Sequence, residues 1–297
     1  MQFGSTTADI NGMAAGGDLP IVEENTQQPV WQEWGAQWRD LYILGKDGTF
    51  FTKINLTNFD PDPSVNNGQN YAQLKSLFVQ AEAVGARSDG LTPNQHYVTA
   101  IYQELLHRQP DAAGLAAWSA MLDQAGSRTQ VALAIEQSQE YREDEVESLY
   151  THYLSRQADP VGLAAFTNFL AQGGTLEQVA ADIVASAEYY QTHGGGADGG
   201  FLAALYQDAL ARPIDANGQS HLTQALASGV SRQQIAAVIF ASTEYQQDVV
   251  ENAYLTSLNR PADASGLQAF TAAMAQGTRD ETIIADILGS DEFFLKP

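Results

Sequence analysis

Arginine, aspartate and glycine recur along this chain at fixed spacing, and they are the first residues to consider for chemistry. The aspartate follows the arginine by three residues, and the glycine follows it by six. The three columns are Arg108, Arg156, Arg212 and Arg260, then Asp111, Asp159, Asp215 and Asp263, then Gly114, Gly162, Gly218 and Gly266. Calcium takes carboxylate and carbonyl oxygens as ligands, often from loops. The four aspartates are therefore calcium candidates.

A structural role explains the same residues more simply. Each copy has one such aspartate beside an arginine, without the closely spaced acidic and amide residues of a calcium loop. Aspartate is a preferred helix N-cap, and the arginine would pair with it or with the glutamate of a later Ser-x-Glu sequence. We expect these residues to shape the fold. We expect no cofactor, with calcium kept as an alternative.

Residues of the common catalytic kinds have little support. The chain has no cysteine, which excludes disulfides, zinc–thiolate sites and cysteine nucleophiles. None of the five histidines occupies a repeated column or has the spacing of a helical zinc motif. No phosphate-binding glycine loop or nucleophile elbow is present. The sequence predicts a protein that is not an enzyme.

The charge balance is strongly acidic. Lysine and arginine total 14 against 36 aspartates and glutamates, a formal net charge of −22 at pH 7. Nucleic acids and anionic membranes are bound through basic residues, so we expect neither as a partner. No apolar run approaches the roughly 20 residues that span a bilayer. The N-terminus lacks the pattern of a cleavable signal peptide, and export by an uncleaved C-terminal signal stays open.

Helices must position the repeated columns, because the apolar residues after each arginine recur at steps of three and four. Ten residues after each arginine stand Trp118, Phe166, Leu222 and Phe270. On that helical face we expect them in the core rather than as platforms for sugars. Thirty residues after each arginine stand Ser138, Ser186, Ser242 and Ser290. We expect these serines to cap a third helix, which in the first three copies continues into the next copy.

Further signals predict helix ends inside each copy. Gly126, Gly173, Gly229 and Gly277 are placed as C-terminal caps. The next segments open with the spacing of a capping box, in which a hydroxyl and a Glu or Gln side chain satisfy two backbone donors. These boxes are Ser127-x-x-Gln130, Thr175-x-x-Gln178, Ser231-x-x-Gln234 and Thr278-x-x-Glu281.

The spacing of the arginines divides the array into two pairs. The intervals are 48, 56 and 48 residues, and the longer one contains a glycine-rich stretch. We expect repeats 1 and 2 in residues 91–193, a flexible linker in residues 194–200 and repeats 3 and 4 in residues 201–297. One repeat buries too little surface to stand alone, so neighbours should stack into a continuous core.

The pattern Tyr-x5-Arg-x2-Asp-x2-Gly-Leu-x2-Trp, followed by Ser-x-Glu-Tyr, resembles a bacterial helical repeat known as a domain of unknown function. That domain is distantly similar to the linker domain of phycobilisome linker polypeptides. The resemblance covers about residues 93–297. The third copy departs most, with Leu222 in place of the aromatic residue and Gln219 in place of the leucine. The resemblance carries no catalytic residues and implies secreted or cell-surface bacterial proteins, including S-layer-like chains.

Residues 1–90 differ from the repeats and indicate a small α/β unit. Two strand-like runs flank Asp47-Gly48, which is a hairpin signal, and residues 71–78 look like a closing helix. This order resembles the second half of a thioredoxin-like domain. The half that would carry Cys-x-x-Cys is absent, so redox chemistry is not implied. Trp31, Trp34 and Trp38 would share a helical face, and we expect them to pack against the hairpin.

The expected fold class is mainly α: a four-copy helical repeat array preceded by a small, partial thioredoxin-like α/β unit. The expected function is a non-enzymatic interaction or structural module, extracellular or at the cell surface. A protein or a surface glycan is favoured as partner over a small molecule. One alternative is an accessory protein with a degenerate thioredoxin-like domain, which an upstream Cys-x-x-Cys would favour. The other is a carbohydrate-binding module, which needs aromatic side chains outside the repeat core.

Overall fold

The structure is a computed structural model, and it describes residues 40–45, 50–56, 59, 62, 64, 66–83, 90–124 and 126–295. The chain divides into two compact units, with the boundary between Pro93 and Asn94. Helices dominate the described residues, as the sequence predicts. No helix in these ranges is both long enough and apolar enough to cross a bilayer.

The N-terminal unit contains a β-hairpin and a helix. Strand β1 (Asp40–Leu44) pairs antiparallel with β2 (Phe50–Asn55), and Leu41 lies opposite Ile54. Helix α1 (Gln69–Ala83) packs against β1, where Ile43 is buried. Helix α1 covers one face of the hairpin, and burial of the apolar residues on that face fixes the register of the two strands. The hairpin is confirmed, whereas the thioredoxin-like likeness stays a prediction. The Asp47-Gly48 turn, Trp31, Trp34 and Trp38 lie outside the described residues.

From Pro93 onward the described chain is helical. The helices are α2 (Pro93–Leu106), α3 (Ala112–Asp123), α4 (Arg128–Glu136), α5 (Gln139–Leu154), α6 (Pro160–Ala171), α7 (Leu176–Ala185), α8 (Ala187–Thr192), α9 (Asp198–Leu210), α10 (Ala216–Ala227), α11 (Arg232–Phe240), α12 (Thr243–Leu258), α13 (Ala264–Ala275), α14 (Asp280–Leu288) and α15 (Asp291–Phe294). We call α2–α4 repeat 1, α5–α7 repeat 2, α8–α11 repeat 3 and α12–α14 repeat 4. Helix α15 follows repeat 4.

The helix before each repeated arginine (α2, α5, α9 or α12) is followed by a left-handed residue. These residues are His107, Ser155, Ala211 and Asn259, with φ between 51° and 55°. A side chain in this conformation is strained, because Cβ crowds the following carbonyl oxygen. The left-handed residue ends the helix and redirects the chain into the arginine loop. Asparagine is the one residue of the four that tolerates this conformation well.

The later caps follow the predicted spacing in three repeats and fail in the fourth. Thr175 and Ser231 form complete capping boxes with Gln178 and Gln234, and Ser127 accepts the N–H of Gln130. The predicted Thr278 box is wrong. Helix α14 begins one residue later, at Asp280, and its N-cap position is Arg279, whose side chain makes no capping bond.

Three of the four predicted C-terminal glycines lie where left-handed φ values are required. Gly173, Gly229 and Gly277 have φ of 96°, 96° and 94°, a conformation that favours glycine. The prediction for Gly126 is wrong, because Gly126 stands 18 residues after its arginine whereas the other three glycines stand 17 residues after theirs. Its N–H donates to the carbonyl of Met121 at 3.0 Å, as that of Gly174 does to Phe169.

The glycine-rich segment differs from the expected flexible linker. Residues 198–200 form the first turn of α9, and a single compact unit extends from Asn94 to Lys296. The segment 194–197 is a tight turn in which the N–H of Gly196 donates to Tyr190 at 2.9 Å. A Cβ on Gly200 would collide with the carbonyl of Gly194. The glycines therefore let α8 and α9 approach closely. They also break the third helix, which is continuous in α5 and α12 but not between repeats 2 and 3.

The repeats do not stack only on their neighbours in sequence, because repeat 4 returns to repeat 1. Helix α14 packs against α4, and α11 packs against α7. The two junctions use equivalent residues: Arg128 donates to the carbonyl of Gly289, and Arg232 donates to that of Ala185, both at 3.1 Å. The array is therefore closed, and the 4-to-1 junction repeats the 2-to-3 junction.

Aromatic contacts show the same equivalence. Tyr97 of α2 lies edge-on to Phe293 of α15 with ring centres 6.0 Å apart. Phe201 of α9 lies edge-on to Tyr189 of α8 at 6.2 Å. Helix α15 therefore contacts α2 as α8 contacts α9, although a covalent turn joins only the second pair. Edge-to-face pairs of this kind add about 0.5–1.5 kcal/mol beyond the area they bury.

Candidate functional site

Each repeated arginine binds a glutamate 32 residues later, at the start of the helix that follows the next two helices, and each bond is bidentate. In the Arg156–Glu188 pair, Nε donates to Oε1 at 2.6 Å and Nη2 donates to Oε2 at 2.7 Å. The other three pairs are Arg108–Glu140, Arg212–Glu244 and Arg260–Glu292. The remaining nitrogen of Arg156 donates to the carbonyl of Gln157 at 2.8 Å. These arginines are engaged in joining each repeat to the helix that follows.

Each arginine also lies over a tyrosine ring of its own repeat. The guanidinium carbon of Arg156 is 5.1 Å from the centre of the Tyr150 ring, and the equivalent distances in the other repeats are 5.0–5.2 Å. The arginine and glutamate side chains are between a third and a half exposed. Exposed ion pairs contribute about 0.2–1 kcal/mol each, so their main effect is on geometry.

The repeated aspartates are helix N-caps. Asp159 accepts the backbone N–H groups of Val161 and Gly162 through one oxygen, at 3.2 and 3.0 Å. Asp111 and Asp215 cap two N–H groups in the same way, and Asp263 caps Gly266. The N–H of Gly162 holds the pKa of Asp159 below its usual value. No group of three or more His, Asp or Glu side chains in the described ranges is placed to hold a metal ion.

The repeated glycines make room for the tyrosine hydroxyl. A Cβ at Gly162 or Gly266 would overlap Oη of Tyr150 or Tyr254, and one at Gly114 would lie 2.9 Å from Oη of Tyr102. The third repeat differs, because the atom nearest to a Cβ at Gly218 would be Cγ1 of Ile214, at 3.3 Å. This is the repeat that departs most from the sequence pattern.

The aromatic column packs inside each repeat. Trp118 is half-buried, and its indole N–H donates to Oη of Tyr102 at 3.1 Å. Phe166 and Phe270 contact Tyr150 and Tyr254 with ring centres 6.2 Å apart. These contacts engage the rings in packing inside each repeat.

A pair of cavities lies where the repeats meet. The acidic cavity, of about 310 Å³, is lined by Glu136, Glu145, Leu170, Arg279 and Glu281 among others. The twin cavity, of about 450 Å³, is lined by Phe240, Met274, Glu177 and Arg279 among others. The residues correspond by repeat position: Glu136 to Phe240, Leu170 to Met274 and Glu281 to Glu177. The closure of the array therefore creates two related cavities with different chemistry.

Glu136 distinguishes the acidic cavity. It stands in a column whose other members are Val184, Phe240 and Leu288, and its exposure is 2%. Neither carboxyl oxygen has a hydrogen-bond partner among the residues that the structure describes. Burial raises the pKa of Glu136 to about 9, and the charges of Glu281 and Glu145 act in the same direction. An unsatisfied buried polar group costs about 1–3 kcal/mol, so this carboxyl is a local weakness of the fold.

Glu145 and Glu281 also line the cavity, and Asp280 lies beside Glu281 in the chain. Burial raises the pKa of Glu145 to about 7, although a hydrogen bond from Tyr141 opposes this. Burial and the charge of Glu177 hold the pKa of Asp280 well above its usual value. Burial acts on Glu281 in the same direction, but hydrogen bonds from Arg279 and Asp280 lower its pKa overall. Arg279 donates to Glu281 at 2.6 and 2.9 Å and to the carbonyls of residues 173 and 174.

Glu136, Glu145 and Asp280 are not among the residues that the sequence patterns single out. A signal for Glu136 is present, since an acidic residue occupies a column that is otherwise apolar in all copies. No repeated signal marks the other two. The patterns do single out the repeated Arg, Asp and Gly residues. The Arg and Asp residues lie in a loop of each repeat, the Gly residues lie in the first turn of the helix that follows, and none of them lines either cavity.

The comparisons with known proteins find the repeat and nothing more specific. Neither the curated proteins nor the solved structures contain a match to this chain. The family model described as "Domain of unknown function (DUF4214)" matches twice, at residues 76–145 and 180–249. The two matches include equivalent positions, Arg108 in the first and Arg212 in the second. Two segments of the chain, together less than half of its length, therefore match a domain whose function is unknown.

Proposed function

We propose that this protein is a non-enzymatic interaction or structural module. The observation that supports this is the use of the repeated polar residues. The aspartates cap helices, and each arginine binds a glutamate 32 residues further along the chain. A catalytic group must have a free functional atom within reach of a reacting molecule. The side chains that define the repeat instead use these atoms to build a closed helical scaffold.

The setting that we propose is extracellular or at the cell surface of a bacterium. The absence of cysteine and the net charge of −22 support it, because such a chain needs no thiol protection and stays soluble through self-repulsion. Fractionation of the source cells tests the setting. The protein should be recovered from the medium or be degraded by a protease added to intact cells, while a cytoplasmic marker survives. Recovery with the marker would refute it.

The partner that we propose is a protein or glycan of the bacterial surface. Envelopes of the source cells are treated either with protease, which removes proteins, or with periodate, which oxidises glycans. Only one of the two treatments should abolish binding of the purified chain, and that treatment identifies the class of partner. Charge attraction between this acidic chain and its partner weakens with salt, so binding should fall between about 50 and 500 mM salt if basic groups carry it. Heat-unfolded chain is the control. Equal binding of folded and unfolded chain would refute a role for the scaffold.

A further inference from the structure

The acidic cavity offers a feature that the scaffold does not use, the carboxyl group of Glu136. Its side chain is buried, both of its oxygens lack a partner among the described residues, and it lines a cavity of about 310 Å³. The equivalent positions in the other repeats are filled by Val184, Phe240 and Leu288, each at most 1% exposed. An apolar residue therefore fits this position, and the glutamate is not required by the packing.

We propose that the acidic cavity binds a small aliphatic primary amine, whose ammonium group donates hydrogen bonds to Glu136 and Glu145. An ammonium group carries three donors and no acceptor, which suits the partnerless carboxyl of Glu136 and the neighbouring carboxyl of Glu145, which already accepts a hydrogen bond from Tyr141. Leu133, Leu170 and Leu176 also line the cavity and give an apolar wall for the alkyl chain. This inference does not depend on the surface role proposed above.

The groups around Glu136 leave room for an added cation. On α5 they are Tyr141, Arg142 and Glu145, and on the α14 side they are Arg279 and Glu281. Arg279 is already bound to Glu281 and to two carbonyls, so it does not neutralise Glu136. The charge of Glu136 also acts on Tyr97 of α2, whose hydroxyl donates to the carbonyl of Arg128 at 3.0 Å.

Binding must be coupled to proton release. Glu136 is protonated at neutral pH in the free protein, because its pKa is raised to about 9. When the ammonium group binds, the carboxyl loses its proton to solvent and forms a charge-assisted pair with the amine, which stays protonated. The affinity should therefore rise by up to about tenfold per pH unit from pH 7 to 9. It should fall again above about pH 10, where the amine itself loses its proton.

Titration calorimetry of the full chain with n-butylamine and with 1,4-diaminobutane tests this directly. Measured in buffers of different ionisation enthalpy, it should show binding with release of about one proton near pH 7.5. Glu136→Gln and Glu145→Gln should each weaken binding by more than tenfold. Glu177→Gln, which removes an acid of the twin cavity, should change it by less than twofold.

Four outcomes would overturn the proposal. They are no binding of either amine at 10 mM and pH 8.5, unchanged binding by Glu136→Gln, equal binding of 1-butanol, and binding without proton release. N-acetyl-lysine methylamide tests the source of the ammonium group. If it binds more than tenfold tighter than n-butylamine, the cavity takes a lysine side chain of a partner protein, and the small-amine proposal fails.

Discussion

The guanidinium group of Arg128 lies over the ring of Phe294, with its central carbon 4.5 Å from the ring centre. Arg128 begins α4 of repeat 1, and Phe294 ends α15 at the far end of the array. The equivalent contact within repeat 3 joins Arg232 of α11 to Tyr190 of α8 at 4.3 Å. The last helix therefore supplies repeat 1 with the contact that α8 supplies to repeat 3.

This closure predicts that residues near the C-terminus stabilise the first repeat. Phe294→Ala should lower the free energy of unfolding by about 3 kcal/mol, because Phe294 is only 7% exposed and truncating a buried phenylalanine leaves a cavity. Urea denaturation measures the loss. Hydrogen exchange should locate the loss of protection in α2 and α4. The control is Phe169→Ala at a ring that is 40% exposed, and a cost as large as that of Phe294→Ala would contradict the prediction.

The tyrosine hydroxyls predict unequal costs for equivalent glycine substitutions. Gly→Ala in a helix normally stabilises by up to about 1 kcal/mol. Gly162→Ala should instead destabilise by about 1–3 kcal/mol, because the new Cβ overlaps Oη of Tyr150. Gly218→Ala should cost less, since its nearest neighbour is a carbon of Ile214.

A double-mutant cycle in urea separates this clash from other effects. Tyr150→Phe removes the hydroxyl, so combining it with Gly162→Ala should recover part of the loss. Strictly additive single effects would show that the hydroxyl is not the cause.

The left-handed residue before each repeated arginine predicts a stabilising substitution. Ala211 has φ of 51°, a conformation that costs a non-glycine residue roughly 1–2 kcal/mol. Ala211→Gly should therefore raise the free energy of unfolding by about 1 kcal/mol, measured by urea denaturation. Ala203→Gly, in the middle of α9, is the matched control and should lower it by about 1 kcal/mol. Destabilisation by both variants would argue against the left-handed turn.

Glu136 predicts a loss of stability as pH rises. Its pKa is about 9 in the fold and near 4.5 for a glutamate in water, so the folded chain binds the additional proton between these values. The stabilisation that this proton gives to the folded state is fully present below about pH 4.5 and is lost as the pH rises towards 9. Glu136→Gln should consequently be more stable than the parent by about 3 kcal/mol at pH 7, with the difference vanishing below pH 4.5.

Urea midpoints between pH 4 and 9 check this prediction. Glu188→Gln provides a contrast, because its hydrogen bonds from Arg156 hold the pKa of Glu188 low. The contribution of the Glu188 carboxylate to the free energy of unfolding should be lost as the pH falls through that lowered pKa. Identical pH slopes for the parent and Glu136→Gln would show that the carboxyl is ionised in the fold.

The aspartate caps predict that calcium has no effect on thermal stability. One oxygen of Asp159 already accepts two backbone N–H groups, and the other lies 4.0 Å from Arg156. Melting curves followed by circular dichroism should coincide in millimolar calcium and in excess chelator. Asp159→Asn should change stability little and Asp159→Ala should cost about 1 kcal/mol, because asparagine is also a good cap. A melting temperature that rises with calcium, and no longer does so in Asp159→Asn, would establish a cation site.

The sequence alone determined the local structure of the repeat. Asp159 caps a helix and Arg156 binds the Ser-x-Glu carboxylate, as spacing and residue type indicate, because both are short-range preferences. Two predictions of helix ends were wrong by one residue. Thr278 stands one residue before the N-cap position of α14, and Gly126 aligns with Gly174, the residue after the left-handed Gly173.

Only the tertiary structure decided how the repeats are arranged and what lies between them. Spacing showed that residues 194–200 are an insertion, but the close approach of Gly194 and Gly200 makes them a packed turn rather than a linker. The pairing of α4 with α14 joins residues more than a hundred positions apart, and no periodic pattern encodes which apolar faces meet. The chemistry of the acidic cavity depends on that pairing, because Glu136 of repeat 1 and Glu281 of repeat 4 face one cavity only when the array closes.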